Sequence, residues 1–409
     1  MNKNIKLAVA GAVLALSATA NAGIIIPAGD WTVDINGNVN TFLTNTKHSG
    51  ANLTANQNDS RQQLQTGLLP SSFGIGAKTR QNDTDVAFQF SFWTGSNANG
   101  TDNLQAAGQG NGGLGYSSLN IRQSYLTFGD KSWGTFLAGR NLGVFGSDAI
   151  LSDMTLLGVG SFAGGSGSST LGRIGSGYIY ADWKAQMAYT TPNFGGLEAT
   201  AAITEGTGQI DNSNLGYEGK ASYSFAGDAV SGKFWVGGKT LKIQTSAVGG
   251  TGNTVGTGAI SEFDSRGGEV GAKFSASGVD LVGYLYQGKN MDAGIGQAIN
   301  TIATDSANFQ QNDNHGGYIQ ATYVMPTKTK VGISYGKNGI ERGALAGATA
   351  AGLRDGEREA TVVGAYHPFT KHLNLVAEYN MLDTTSASAA AGAEDGKSKT
   401  VSLGAILFF

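Results

Sequence analysis

The sequence predicts an all-β fold: a 16-stranded antiparallel transmembrane β-barrel. Three observations point there. Segments of roughly ten residues alternate apolar and polar side chains, the period of a strand with two different faces. The connections between them alternate short and long. The composition is rich in glycine and poor in charge, with 64 glycines in 409 residues and 14% charged side chains. Ordinary soluble domains carry about 7% glycine and about 25% charge.

The first element is an address rather than part of the barrel. Lys3 and Lys6 precede an apolar run from Leu7 to Leu16, and Ala20-Asn21-Ala22 forms a small-residue cleavage site. Residues 1–22 therefore read as a cleaved signal peptide, and residues 23–409 as one barrel domain. The apolar run is too short for an anchor helix, which needs about 20 residues.

The first strand follows in GDWTVDINGNVNTFL. Trp31, Val33, Ile35, Val39 and Leu43 share one face; Thr32, Asp34, Asn36, Asn38 and Asn40 share the other. The second set is too polar for a protein core and suits a water-filled lumen. TDVAFQFSFW repeats the pattern, with Val86, Phe88, Phe90 and Phe92 against Asp85, Ala87, Gln89 and Ser91. In HLNLVAEYNM, Leu373, Leu375, Ala377, Tyr379 and Met381 alternate with Asn374, Val376, Glu378 and Asn380. The final KTVSLGAILFF puts Val401, Leu403, Ala405, Leu407 and Phe409 on one side. In VDLVGYLY and KFWVGG the pattern does not decide which face is which.

Short connections fall at RQND, GDKSWG, TPNFGG, AGDAVS, MPTKTK and HPFTK. Long ones fall near 46–66, 95–118, 141–176, 205–216, 243–263, 288–314, 337–357 and 383–396. This rhythm is that of an up-and-down barrel with tight turns at one rim and loops at the other. A soluble sandwich would have fewer, shorter strands, and a solenoid would show a fixed repeat. The low charge has a reason here, since Arg or Lys facing lipid costs about 2–4 kcal/mol at mid-depth. Trp31, Trp93, Tyr178, Tyr180 and Phe194 fit either interfacial girdles or ordinary packing at a rim.

Composition excludes several chemistries. Without cysteine there is no disulfide framework, thiolate zinc site, iron–sulfur cluster or cysteine nucleophile. A net charge of −3 does not suit a nucleic-acid binder. His48, His315, His367 and His372 lack metal-binding spacing, and VGSFAGGSGSS lacks the Gly-Lys-Ser/Thr of a phosphate loop. No cofactor is expected. A barrel enzyme such as a phospholipase or protease would need a nucleophile and base placed together, and no such motif occurs.

Four segments resemble the general trimeric porins of Gram-negative outer membranes. LLPSSFGIGAKTR (68–80) is similar to that family's second strand. NIRQSYLTFGDKSWGTFLAGRN (120–141) resembles its fourth strand, turn and fifth strand. AYTTPNFGGLEATAA (188–202) resembles a periplasmic turn, and Phe409 matches the terminal aromatic. The resemblance implies an outer-membrane homotrimer whose third long loop, about 141–176, folds into the lumen. It implies passive diffusion of ions and small hydrophilic solutes, with a substrate-specific channel or barrel-scaffold adhesin as the alternative. The partners implied are membrane lipids, lipopolysaccharide and the barrel assembly machinery, the last through the strand ending in Phe409.

It also implies a constriction. Arg140 matches a wall arginine, and its parity puts it in the lumen if Leu137 faces out. Arg173 matches a second wall arginine, Asp153 an acid on the loop, and Asp148 a looser second acid. Arg122 falls on the side of Leu126 and Phe128 and is left out. This sequence departs from the family pattern in carrying MTLLGVG where many relatives have Pro-Glu-Phe-Gly-Gly, which puts Leu157 about where a loop glutamate would fall. Asn38 and Ser72 stand where basic residues are common. The expected charge filter is weak and its sign open.

Overall fold

The computed structural model describes residues 23–50, 60–95, 119–161, 169–205, 214–246, 260–291, 312–342, 355–385 and 396–409. The expected leader, residues 1–22, and the body of the second long loop, 96–118, lie outside these.

The strands in chain order are β1 (Ile24–Ala28), β2 (Trp31–Gly50), β3 (Ser60–Gln65), β4 (Ser71–Gln81), β5 (Thr84–Thr94) and β6 (Asn120–Asp130). Then come β7 (Gly134–Leu142), β8 (Trp183–Thr190), β9 (Leu197–Thr204), β10 (Gly216–Ala226), β11 (Val230–Ser246) and β12 (Ile260–Ala276). The last are β13 (Val279–Lys289), β14 (Asn312–Val324), β15 (Lys330–Arg342), β16 (Gly356–Pro368), β17 (Leu373–Thr385) and β18 (Gly396–Phe408).

Eighteen segments make sixteen staves because two staves are each built from two pieces. β2 is 20 residues long and serves both. On one side its upper half pairs with β3 and its lower half with β4. On the other its upper half pairs with β18 and its lower half with β1. Gly37 and Phe409 exchange backbone hydrogen bonds of 2.8 and 3.1 Å at the joint between β18 and β1. The first and last segments of the barrel thus share one stave. Every other strand pairs antiparallel with its sequence neighbours, and β9–β10 completes the ring. The staves thus close into a barrel, the form of sheet a bilayer admits.

The outward face is set by large apolar residues that stay exposed in the isolated chain: Val39, Leu43, Phe88, Phe90, Leu126, Met187, Leu285 and Ile319 among them. The alternation read in all four quoted alternating strands matches this face. Tyr379 and Met381 point out while Glu378 and Asn380 are buried within. The two unoriented segments are resolved. Phe234, Val236, Leu281 and Leu285 face out, and Trp235, Val282, Tyr284 and Tyr286 face in. Both faces are apolar there because the inner one packs against protein rather than water.

The tight turns follow local chemistry. Asn82 and Asp83 both have positive φ, 48° and 60°, and so do Ser277 and Gly278, 49° and 82°. Two such residues give a primed turn that matches strand twist. Gly134, at φ 92°, starts β7 where any Cβ would run into the Thr190 carbonyl. Aromatics gather on this rim: Phe136 lies 5.4 Å from Phe128 and 4.8 Å from Tyr189, centroid to centroid. Trp31, paired with Phe88, and exposed Phe194 lie here too. Trp93, Tyr178 and Tyr180 are instead buried inside the barrel and belong to no girdle.

Candidate functional site

Between β7 and β8 the chain turns into the lumen. The described residues of this segment, 143–161 and 169–182, carry a short helix, α1 (Ser147–Ser152), and one 3-10 turn, Met154–Leu157. Asp153 joins the two. Its N–H closes α1 on the Ile150 carbonyl, and its Oδ1 accepts from the Thr155 N–H at 2.9 Å. Its Oδ2 accepts from the Tyr178 hydroxyl at 2.8 Å and the Arg173 N–H at 3.2 Å. A side-chain acceptor two residues before a donor is the usual start of a helical turn.

Wall side chains bolt this loop in place. Glu218 on β10 takes the Val144 and Phe145 N–H groups on Oε2, at 2.7 and 2.9 Å. Its Oε1 takes Lys184 at 2.7 Å. Glu269 on β12 takes the Gly146 N–H at 2.9 Å and the Tyr284 hydroxyl at 2.8 Å. Gln320 on β14 accepts from Met154 N–H and donates to the Ser152 carbonyl. Glu378 on β17 takes the Val159 and Gly160 N–H groups at 3.0 and 2.7 Å, and the Tyr366 hydroxyl at 2.7 Å. A side chain at Gly158 would run into that carboxylate. Beneath α1 lie Trp235, Tyr284, Tyr318 and Tyr178, ring against ring. Tyr318 also donates to the Ala149 carbonyl at 2.7 Å. Each carboxylate satisfies backbone donors that irregular chain would otherwise leave orphaned.

The four expected constriction residues have different fates. Asp148, on α1, meets Lys220 of β10 at 2.8 Å and Lys233 of β11. Burial alone would push its carboxyl up, but the two ammonium groups hold it below the usual carboxylate range. Loop acid and wall bases thus meet in direct ion pairs where α1 rests on the wall. Arg173 is fully buried, at 0% exposure, and donates to the Ala360 and Ser334 carbonyls of β16 and β15. It is a strut between loop and wall, not a group facing water. Asp153 is spent on the loop's own backbone.

Arg140 is a correction. Leu137 faces inward, packed with Val144, Ala188 and Ala202, and Asn141 accepts a hydrogen bond from Gln123 in the interior. Arg140 lies between them in parity, beside Ser124 and Ala185, on the face of Phe136 and Met187. It pairs with Glu205 at 3.6 Å. Because Phe136 and Leu137 are both apolar, the sequence could not decide which faced lipid. Arg140→Ser is therefore expected to leave the reversal potential in a salt gradient unchanged. Arg173→Leu is expected to destabilise the loop by about 3 kcal/mol, because it strips charged donors from two buried carbonyls; faster hydrogen exchange of the loop amides would show it.

Other interior residues are set aside or passed over in reading the sequence, Arg122 because its parity puts it with Leu126 and Phe128. Arg122 sits at a bulge: Ser91 pairs with Gln123 and Phe92 with Ile121, so the extra residue escapes the alternation. It turns inward and lies 5.0 Å from the Trp93 ring. Glu378 has a sign in the sequence, a lone acid on an otherwise neutral inner face, whereas Glu218 and Glu269 share their inner faces with Lys220 and Lys273. Among the described residues no cluster of His, Asp or Glu could hold a metal ion.

A family model described as Gram-negative porin matches residues 7–387. Three solved structures share the fold. OmpT of Vibrio cholerae, folded in vitro and described as a trimer form, is 15% identical at a TM-score of 0.54, covering 93% of this chain and 99% of that one. The outer membrane channel DcaP of Acinetobacter baumannii is 13% identical at 0.59, covering 94% and 99%. Salmonella typhi OmpF, in complex with daunomycin, is 16% identical at 0.54, covering 93% and 100%. Comparison with curated proteins gives no match. A family match over nearly the whole chain joins a closed sixteen-stave barrel with a loop bolted inside it: the chain belongs to the Gram-negative porins and is an outer-membrane porin channel.

Proposed function

We propose that this porin works as a homotrimer for passive diffusion of ions and small hydrophilic solutes, with no catalytic step. The observation that carries the reading is the loop fixed across the lumen by Glu218, Glu269, Gln320 and Glu378, which narrows the passage. Solutes pass by diffusion, filtered by width and lining charge. Asp148 against Lys220 and Lys233 supplies a local transverse field at the constriction.

Residues 1–22 are the cleaved leader in this reading, and β1 begins one residue after the expected new N-terminus, Gly23. The trimer reading is supported by the low wall at β7 to β9, strands of 9, 8 and 8 residues against 17 in β11 and β12. A trimer form is described for OmpT of Vibrio cholerae. The apolar outer face suits lipid, the long-loop rim suits lipopolysaccharide, and the Phe409 strand suits the barrel assembly machinery.

Planar-bilayer recording tests the pore: stable conductance steps are expected, and their absence overturns the reading. Unheated detergent gels test the trimer, which a monomer band persisting in mild detergent would overturn.

A further inference from the structure

The acids of the loop do not face its water. Asp148 is turned into the wall lysines and Asp153 into the loop backbone, and both are buried. Among the described loop residues 143–161 and 169–182, all are buried except Leu151, Ser152, Leu156, Leu157 and, at the loop's end, Asp182, whose Oδ1 accepts from the Trp183 N–H. The leucines pack one side of their chains on the core beneath the loop and leave the other side open. Leu151 and Ser152 end α1, and Leu156 and Leu157 end the 3-10 turn, so the four lie on neighbouring turns.

The wall left free of loop bonds is uncharged over most of its height. From β4 to β7 its inward positions include Ser72, Gly74, Gly76, Gln89, Tyr125 and Thr127. Its inward charges sit towards the two ends of the strands: Lys78, Arg80 and Asp85 near the turn between β4 and β5, the last two paired at 2.9 Å, and Arg122 near the start of β6. Glycine at 74 and 76 makes room for the Gln89 side chain, which a Cβ at either place would strike.

We propose that the passage is a leucine-faced slot, and that its preferred solutes are small neutral or zwitterionic molecules bearing an apolar group. The inference rests on the channel reading. An apolar surface on one side lets such a solute trade water for hydrocarbon contact as it passes, which a polyol cannot do. With both acids of the helical turns buried and none beside the leucines, the slot discriminates ions poorly.

Liposome swelling with leucine and asparagine, zwitterions of nearly the same mass, tests the slot. The wild-type leucine-to-asparagine rate ratio is expected to exceed that of the Leu151→Asn, Leu156→Asn, Leu157→Asn triple variant by about twofold, the scale of partial burial of a methylene or two. A second variant, Leu157→Glu, is expected to raise cation over anion permeability about fivefold, by putting an unpaired charge beside the path. Gel mobility with and without heating shows that each variant has folded. An equal ratio in wild type and triple variant, or no change in reversal potential with Leu157→Glu, overturns the slot and leaves the channel standing. Absence of swelling with every solute overturns both.

Discussion

Replacing Glu378 with alanine is expected to raise single-channel conductance and make the open level noisy. The carboxylate is buried in the wall of β17 and serves three donors: the Val159 and Gly160 N–H groups and the Tyr366 hydroxyl. Hydrogen bonds to a charged group contribute about 1.5–3 kcal/mol each, and a buried donor left unpaired costs about 1–3 kcal/mol. The local loss is thus several kcal/mol, enough to free that arm of the loop. The helical end keeps its own bolts on Glu218 and Glu269, so the loop swings rather than leaves. Global unfolding is expected to shift much less, since the ladder of sixteen staves is untouched. Bilayer recordings check the first claim and denaturant titration the second. A wild-type conductance in Glu378→Ala would show that the loop is held by its packing on Tyr178, Tyr318 and Tyr284 instead.

Glu378 also shows how much the sequence reveals. Its segment alternates cleanly because one face meets lipid and the other meets polar partners, so its inward direction is legible from period two alone. What it holds is not legible, because the partners are backbone N–H groups more than two hundred residues away. β11 and β13 fail for the opposite reason. Trp235, Tyr284 and Tyr286 fill the lumen under α1, so the inner face is as apolar as the outer and the alternation vanishes. Arg122 is lost to a bulge, which resets parity with one extra residue that no hydropathy pattern marks. Arg140 is lost to a neighbouring apolar pair, Phe136 and Leu137, either of which could have faced lipid. Fold and stave count follow from pattern and rhythm; the site depends on the path of one irregular loop, which has neither.

Asp148→Asn is expected to move ion preference towards anions by about fivefold. Removing the charge unmasks Lys220 and Lys233, and one unit of charge acts on an ion some 8 Å away by about 1 kcal/mol at a dielectric between protein and water. Reversal potential in a salt gradient reads this directly. The same site carries a pH signature. Folding places Asp148 beside two ammonium groups, which hold its carboxyl below the usual range despite burial. A depressed carboxylate contributes stability that is fully present above its unfolded value of about 4 and is lost as pH falls through the lower folded one. Between pH 5 and 8 this group is therefore expected to leave stability and ion preference flat. Only as pH falls through that lower folded value should protonation mimic the asparagine, so that the wild type drifts towards anions while Asp148→Asn does not follow. Equal acid drift in both proteins would move the sensitivity to another carboxylate. Wild-type ion preference in Asp148→Asn at neutral pH would place the ion path away from α1 altogether.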